Sequence, residues 1–150
     1  MEKIKRALFT MVMFFTVCSA QAVSASKIAE TSNVSNFDWS QVIHAIIMVE
    51  SKGNPKARSG NSVGAMQITP IMVAECNQIL RSRKSKRRFT LSDRFSVKKS
   101  KEMFLLFQSK YNPKNNVEKA IRSWNGGNNY SIRSTQRYFE KVKAVMKRGR

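Results

Sequence analysis

Between Asp38 and Lys147 the apolar residues recur at the spacing of a helix face, and no stretch alternates as a half-buried strand would. Val42, Ile43, Ile46, Ile47 and Val49 make the first face. Asp38 is a capping residue ahead of it, and Gln41, three residues on, completes a capping-box-like pair. Gly53 and Asn54-Pro55 end this helix near Glu50–Ser51, and residues 52–63 read as a polar loop. Thr69-Pro70 is a cap followed by a first-turn proline, so a second helix is expected from Pro70 to about Leu80. Further helices are predicted over Ser96–Lys110, Val117–Trp124 and Ser134–Lys147, the first two closed by Asn112-Pro113 and Asn125-Gly126-Gly127. The fold class this implies is all-α, with about five helices and no internal repeat.

The first 22 residues read as a leader rather than part of that fold. A basic head, Met1–Arg6, precedes eleven mostly apolar residues, Ala7–Val17, and then small residues at Ala20 and Ala22. The apolar run falls short of the roughly 20 residues that span a bilayer. Cleavage is expected after Ala22, leaving no transmembrane segment and an exported protein of the periplasm or cell envelope. The same stretch has two other readings, an uncleaved anchor and, through Cys18, a lipoprotein, although Val17 is bulky for an acylation site. Residues 23–36 are rich in Ser, Ala, Asn and Thr and read as a linker, so the folded domain is expected over 37–150.

Charge narrows the partners. The 150 residues carry 28 Lys and Arg against nine Asp and Glu, a formal charge of +19. Such a surface seeks polyanions. For an exported chain the anionic wall, lipid headgroups or a secretion machine are nearer at hand than nucleic acid, which is the less favoured partner. Six of the eight residues 81–88 are cations, and like charges at that density read as a solvated loop. The tail is also basic. Without the leader only Cys76 is left, so no internal disulfide is available, and its apolar setting marks it as a buried structural thiol.

Few residues can carry chemistry. A single histidine, His44, does not supply a His-based metal cluster, and no phosphate-binding glycine loop or Ser-His-Asp arrangement stands out, so no metal or cofactor is expected. Glu50 is one of only nine acids and lies at the end of an apolar helix. The negative end of the helix dipole and burial beside Ile46, Ile47 and Met66 both disfavour its charged form, as a general acid requires. Position alone leaves open an ordinary charge at a helix end facing water.

Four ordered segments bear on that choice. Glu50-Ser51 with Asn54-Pro55, Ala57 and Ser59 resembles the start of the lytic transglycosylase domain of the soluble (SLT) type. Gly64-Ala65-Met66-Gln67-Ile68-Thr69-Pro70 resembles its G-L-M-Q-I/V-x-P segment. Ala120–Gly127 resembles its A-x-x-A-Y-N-A-G segment, and Thr135–Val142 its closing E-T-x-x-Y-V-x-K-V segment. The resemblance implies a lysozyme-like fold that binds peptidoglycan glycan strands. It implies Glu50 as the one catalytic residue, cutting between N-acetylmuramic acid (MurNAc) and N-acetylglucosamine (GlcNAc) and leaving a 1,6-anhydro end. It implies substrate-binding roles for Ser51, Met66, Gln67, Trp124, Asn125 and Tyr138, and service to an envelope-spanning secretion or conjugation machine. The chain departs from the pattern at Trp124, where the family has Tyr, at Gly126, where it has Ala, and in a loop before Gln67 about one residue shorter. Trp124-Asn125-Gly126-Gly127 also resembles goose-type lysozymes, which hydrolyse the bond. A third reading, from another class, is a non-catalytic basic module that binds cell wall or nucleic acid.

Overall fold

The structure, a computed structural model, describes residues 37–149. The expected leader, linker and final residue lie outside the described residues. Five α-helices follow in order: α1 Ser40–Ser51, α2 Pro70–Ser82, α3 Val97–Tyr111, α4 Val117–Gly126 and α5 Ile132–Arg148. A 3-10 turn, Ser92–Phe95, precedes α3. The all-α expectation holds, with one addition. The loop after α1 folds into a hairpin, β1 Arg58–Ser59 and β2 Ser62–Val63, in antiparallel register Arg58 to Val63 and Ser59 to Ser62. Strands of two residues are too short to leave an alternating pattern in a sequence.

The helix starts are mostly side-chain caps. Thr69 accepts from the Met72 amide, Ser96 from Lys99, Asn116 from Lys119 and Ser131 from Ser134. Asp38 accepts from the amide of Ser40 at 2.8 Å. The rest of the expected capping box does not form. Gln41 donates instead to the Met146 carbonyl, 105 residues away, at 3.1 Å. A part-buried long-range acceptor outcompetes the local one and ties α1 to the end of α5.

Helix α5 packs on α4 and α1, and α2 packs on α3. Between them lies a core containing Ile46, Met66, Ile68, Met103, Phe104 and Ile121. An aromatic series crosses this core: Phe37 to Trp39, Trp39 to Phe104 and Phe104 to Trp124, with ring centroids 4.6, 5.6 and 5.3 Å apart. Cys76 is fully buried near the Met103 carbonyl, and burial pushes its thiol up to about 12, as suits a structural rather than a reactive group. The basic run 81–88, read as a loop from the sequence, is largely exposed and begins inside α2, whose last two residues are Arg81 and Ser82. Its base is anchored by Asn77, whose amide pairs with both the N–H and the carbonyl of Phe89 at 2.8 Å.

One charge lies inside. Arg122 on α4 is 3% exposed. Its guanidinium donates to Glu118 at 2.7 Å, to the Ile132 carbonyl and Thr135 hydroxyl at 3.1 Å each, and to Gln136 at 2.7 Å. Its carbon sits 4.3 Å from the Phe139 ring centre. Every arm of the guanidinium is thus satisfied, mainly by α5. Removing it strands those acceptors, and Arg122→Ala is expected to lower unfolding free energy by about 3–5 kcal/mol in a urea melt.

Candidate active site

Glu50 is the penultimate residue of α1 and is partly buried. Tyr138, near the middle of α5, donates its hydroxyl to Glu50 Oε1 at 2.7 Å. Burial raises the Glu50 carboxyl above its ordinary value, and the Tyr138 hydrogen bond opposes the rise by favouring the carboxylate. Burial and the neighbouring carboxylate also raise the phenol, so Tyr138 stays a proton-bearing donor.

Glu50 opens into a cavity of about 250 Å³ lined also by Ser59, Ser62, Gln67, Ile68, Thr69, Met72, Trp124 and Asn125. Thr69, Met72, Trp124 and Asn125 belong as well to a second hollow of about 320 Å³, which continues past Glu75, Phe107 and Tyr111 to Gly127 and Asn128. The two form one cleft. No Lys, Arg or His lines either part, and Glu50 and Glu75 are the charged residues on its walls. Glu75 is engaged by the Tyr111 hydroxyl and lies 3.6 Å from Lys110 Nζ.

One wall depends on a tight turn. Gly64 has a left-handed φ of +80°, and a Cβ there would overlap the Arg94 carbonyl oxygen. The backbone N–H and side-chain amide of Gln67 both donate to the Gly64 carbonyl, at 3.1 and 3.0 Å. Ser51 donates to the Ala65 carbonyl at 2.8 Å, fixing the turn to the end of α1. Arg94 donates to the carbonyls of Asn61 at 3.1 Å and Ile68 at 3.4 Å, holding the hairpin against it. On the opposite side, a Cβ at Gly126 would come within 2.7 Å of Thr135 Cγ2 and 2.8 Å of Tyr130 Cβ. That crowding accounts for Gly where the resembling segment has Ala.

Of the residues singled out in the sequence, Glu50, Gln67, Trp124 and Asn125 share the cavity, and Tyr138 meets Glu50 beneath it. Two differ from expectation. Met66 has no exposed surface and packs in the core, because the turn rotates it inward and Gln67 outward. Ser51 ties α1 to the turn and is absent from the cavity wall. His44 is exposed on α1. Sequence reasoning missed Ser59 and Ser62, which reach the cleft through the hairpin, and assigned Thr69 only its capping role.

Residues 27–146 match the family described as the transglycosylase SLT domain. The chain belongs to that family. Its fold is therefore the all-α, lysozyme-like SLT domain, and its function is of the peptidoglycan-cleaving, lytic transglycosylase type. No curated protein and no solved structure matches the chain. Among the described residues no helix is long and apolar enough to cross a membrane.

In this SLT domain Tyr138→Phe removes the hydrogen bond that favours the Glu50 carboxylate. The Glu50 pKa is expected to rise further, read by carboxyl NMR titration; an unchanged value would mean that the bond does not form in solution. Gly64→Ala is expected to cost at least about 2 kcal/mol in a urea melt, from strain and overlap together. Gly60→Ala, also left-handed but with open space around its Cβ, should cost about 1 kcal/mol.

Proposed function

We propose that this SLT domain cleaves the β-1,4 bond from MurNAc to GlcNAc with Glu50 as its only acid and base, leaving 1,6-anhydroMurNAc ends. The observation that carries the proposal is the Glu50–Tyr138 pair: a partly buried carboxyl with a raised pKa, held by a neutral donor, in an inner cavity with no second carboxylate. Protonated Glu50 gives its proton to the glycosidic oxygen as the bond to C1 breaks. The N-acetyl oxygen of the muramic acid closes on C1 from within the substrate, which replaces the second carboxylate most glycosidases use. The Glu50 carboxylate then takes the proton of the C6 hydroxyl, and that oxygen displaces the acetamido oxygen from C1. Glu50 ends protonated as it began, and no water is consumed.

The remaining cleft residues have roles that fit this course. Asn125 can hydrogen-bond the acetamido group as it swings toward C1. Trp124, backed by Phe104, offers a flat face to a sugar ring. Gln67 is held by Gly64 at the edge of the cavity and can direct its free amide atoms to sugar hydroxyls. The reading includes export by the leader to the periplasm or envelope, where the substrate lies. It also includes local opening of the wall for a secretion or conjugation machine.

Mass analysis of fragments from digested sacculi tests the chemistry. The expected products lack one water relative to hydrolysed ends, and Glu50→Gln should release them at least about a hundredfold more slowly. Hydrated reducing ends alone would make the protein a lysozyme of the goose type. Firm binding to sacculi with release equally slow in wild type and Glu50→Gln would make it a non-catalytic module.

A further inference from the structure

The charge of this protein is sorted away from its cleft. Residues 37–149 carry 23 Lys and Arg, yet none lines the cavity or its extension. A large share sits on α5. Its exposed side presents Arg133, Arg137, Lys141, Lys143, Lys147 and Arg148, and one carboxylate, Glu140, which accepts from Gln136 at 2.8 Å. Arg133, Arg137 and Lys141 follow one another at four-residue spacing, so they form a row along the helix. No carboxylate among the described residues pairs with any of the three.

We infer that this face of α5 is a docking surface for the carboxylates of peptidoglycan outside the cleft, those of its peptide stems and uncapped lactyl groups. The inference rests on the proposed glycan-cleaving function and deepens it. Three observations select this polyanion. Gly127 and Asn128 line the second hollow, and the chain runs from them through Ser131 into α5, which places Arg133 five residues along the chain from the cleft wall. The inner side of the same helix holds Tyr138 against Glu50, so docking and chemistry share one rigid element. No cation lines the cleft, and Lys110 beside it is engaged by Glu75 at 3.6 Å. A lipid surface fits less well, because Thr135 and Val142 are buried and Tyr138, Phe139, Val145 and Met146 pack on the core, leaving Ile132 at its first turn as the one exposed large apolar side chain of α5, too little for an amphipathic face. Single-stranded nucleic acid fits less well because no aromatic on the exposed face is available to stack a base.

Sedimentation of the mature protein with sacculi, across a range of salt, tests the surface. The triple change Arg133→Gln, Arg137→Gln, Lys141→Gln is expected to weaken binding about tenfold and flatten its salt dependence. Converting the carboxylates of the sacculi to amides should weaken wild-type binding equally and leave the variant unaffected. Arg81→Gln, Lys84→Gln, Lys86→Gln removes the same charge elsewhere and should bind nearly as wild type. The α5 variant should cleave a short soluble GlcNAc–MurNAc oligosaccharide at the wild-type rate. Equal binding to amidated sacculi, or equal loss in the Arg81 set, would overturn the assignment. Tighter binding to phosphatidylglycerol vesicles or duplex DNA than to sacculi at the same salt would overturn it as well. An oligosaccharide left intact by every version would overturn the catalytic proposal alone, since the sedimentation result does not depend on cleavage.

Discussion

A buried guanidinium holds the helices around Glu50 in register. Arg122 pays for its desolvation with bonds to Glu118, Thr135, Gln136 and the Ile132 carbonyl, and with the face of Phe139. Those partners belong mostly to the first two turns of α5, so the helix has one azimuth at which all are met. At that azimuth Tyr138 faces α1 and reaches Glu50. Arg122 also lies two residues before Trp124 and three before Asn125, so the same anchor fixes the floor of the cleft. Buried charges are weak evidence for stability, because an apolar replacement can do as well. Here the charge supplies direction: it leaves α5 little freedom to rotate, and the Glu50–Tyr138 distance depends on that.

At Glu50 burial is opposed by the Tyr138 hydrogen bond and, at longer range, by the charge of the whole protein. A protein with a formal charge of +19 sets up a positive potential that favours carboxylate over carboxyl. Yet the Glu50 pKa is raised, and burial is the cause. Burial prevails because it acts at the group itself, whereas the cations lie off the cleft walls and are screened over about 10 Å or less at physiological salt. A Lys or Arg on the inner cavity wall would oppose the effect of burial at Glu50.

Much of this was legible in the sequence, and the misses have physical causes. Helical spacing located all five helices, because each buries one face against a shared core. Thr69-Pro70 marked the start of α2 because capping is a local interaction. The box at Asp38 and Gln41 failed for the opposite reason: Gln41 found its acceptor on α5, and nothing nearby in the sequence announces it. The four ordered segments pointed to Glu50, Gln67, Trp124, Asn125 and Tyr138. Met66 and Ser51 lie off the cavity wall, since adjacency in a segment does not say which side of a turn a residue takes. The left-handed Gly64 and Gln67 decide that, turning one side chain to the core and the next to the cleft. Arg122 carried no sign of burial, because an arginine on a helix is usually at the surface.

The separation of charge from cleft also bears on how a small domain can work on an insoluble polymer. Sugar rings are neutral, and the cavity presents neutral groups: Trp124, Asn125, Gln67, Ser59 and Ser62. Hydrogen bonds of this kind discriminate by geometry but act only at contact. Cations on the outer face of α5 act at longer range and with little geometric demand, and each exposed pair is worth at most about 1 kcal/mol. Many such weak, exchangeable contacts hold a protein near a polyanion without fixing its position. A cleft that bound the stems through buried ion pairs would hold one register tightly and release it slowly. On the proposed reading, cations kept outside the cleft would hold the domain near the polymer without fixing the register of the glycan inside it.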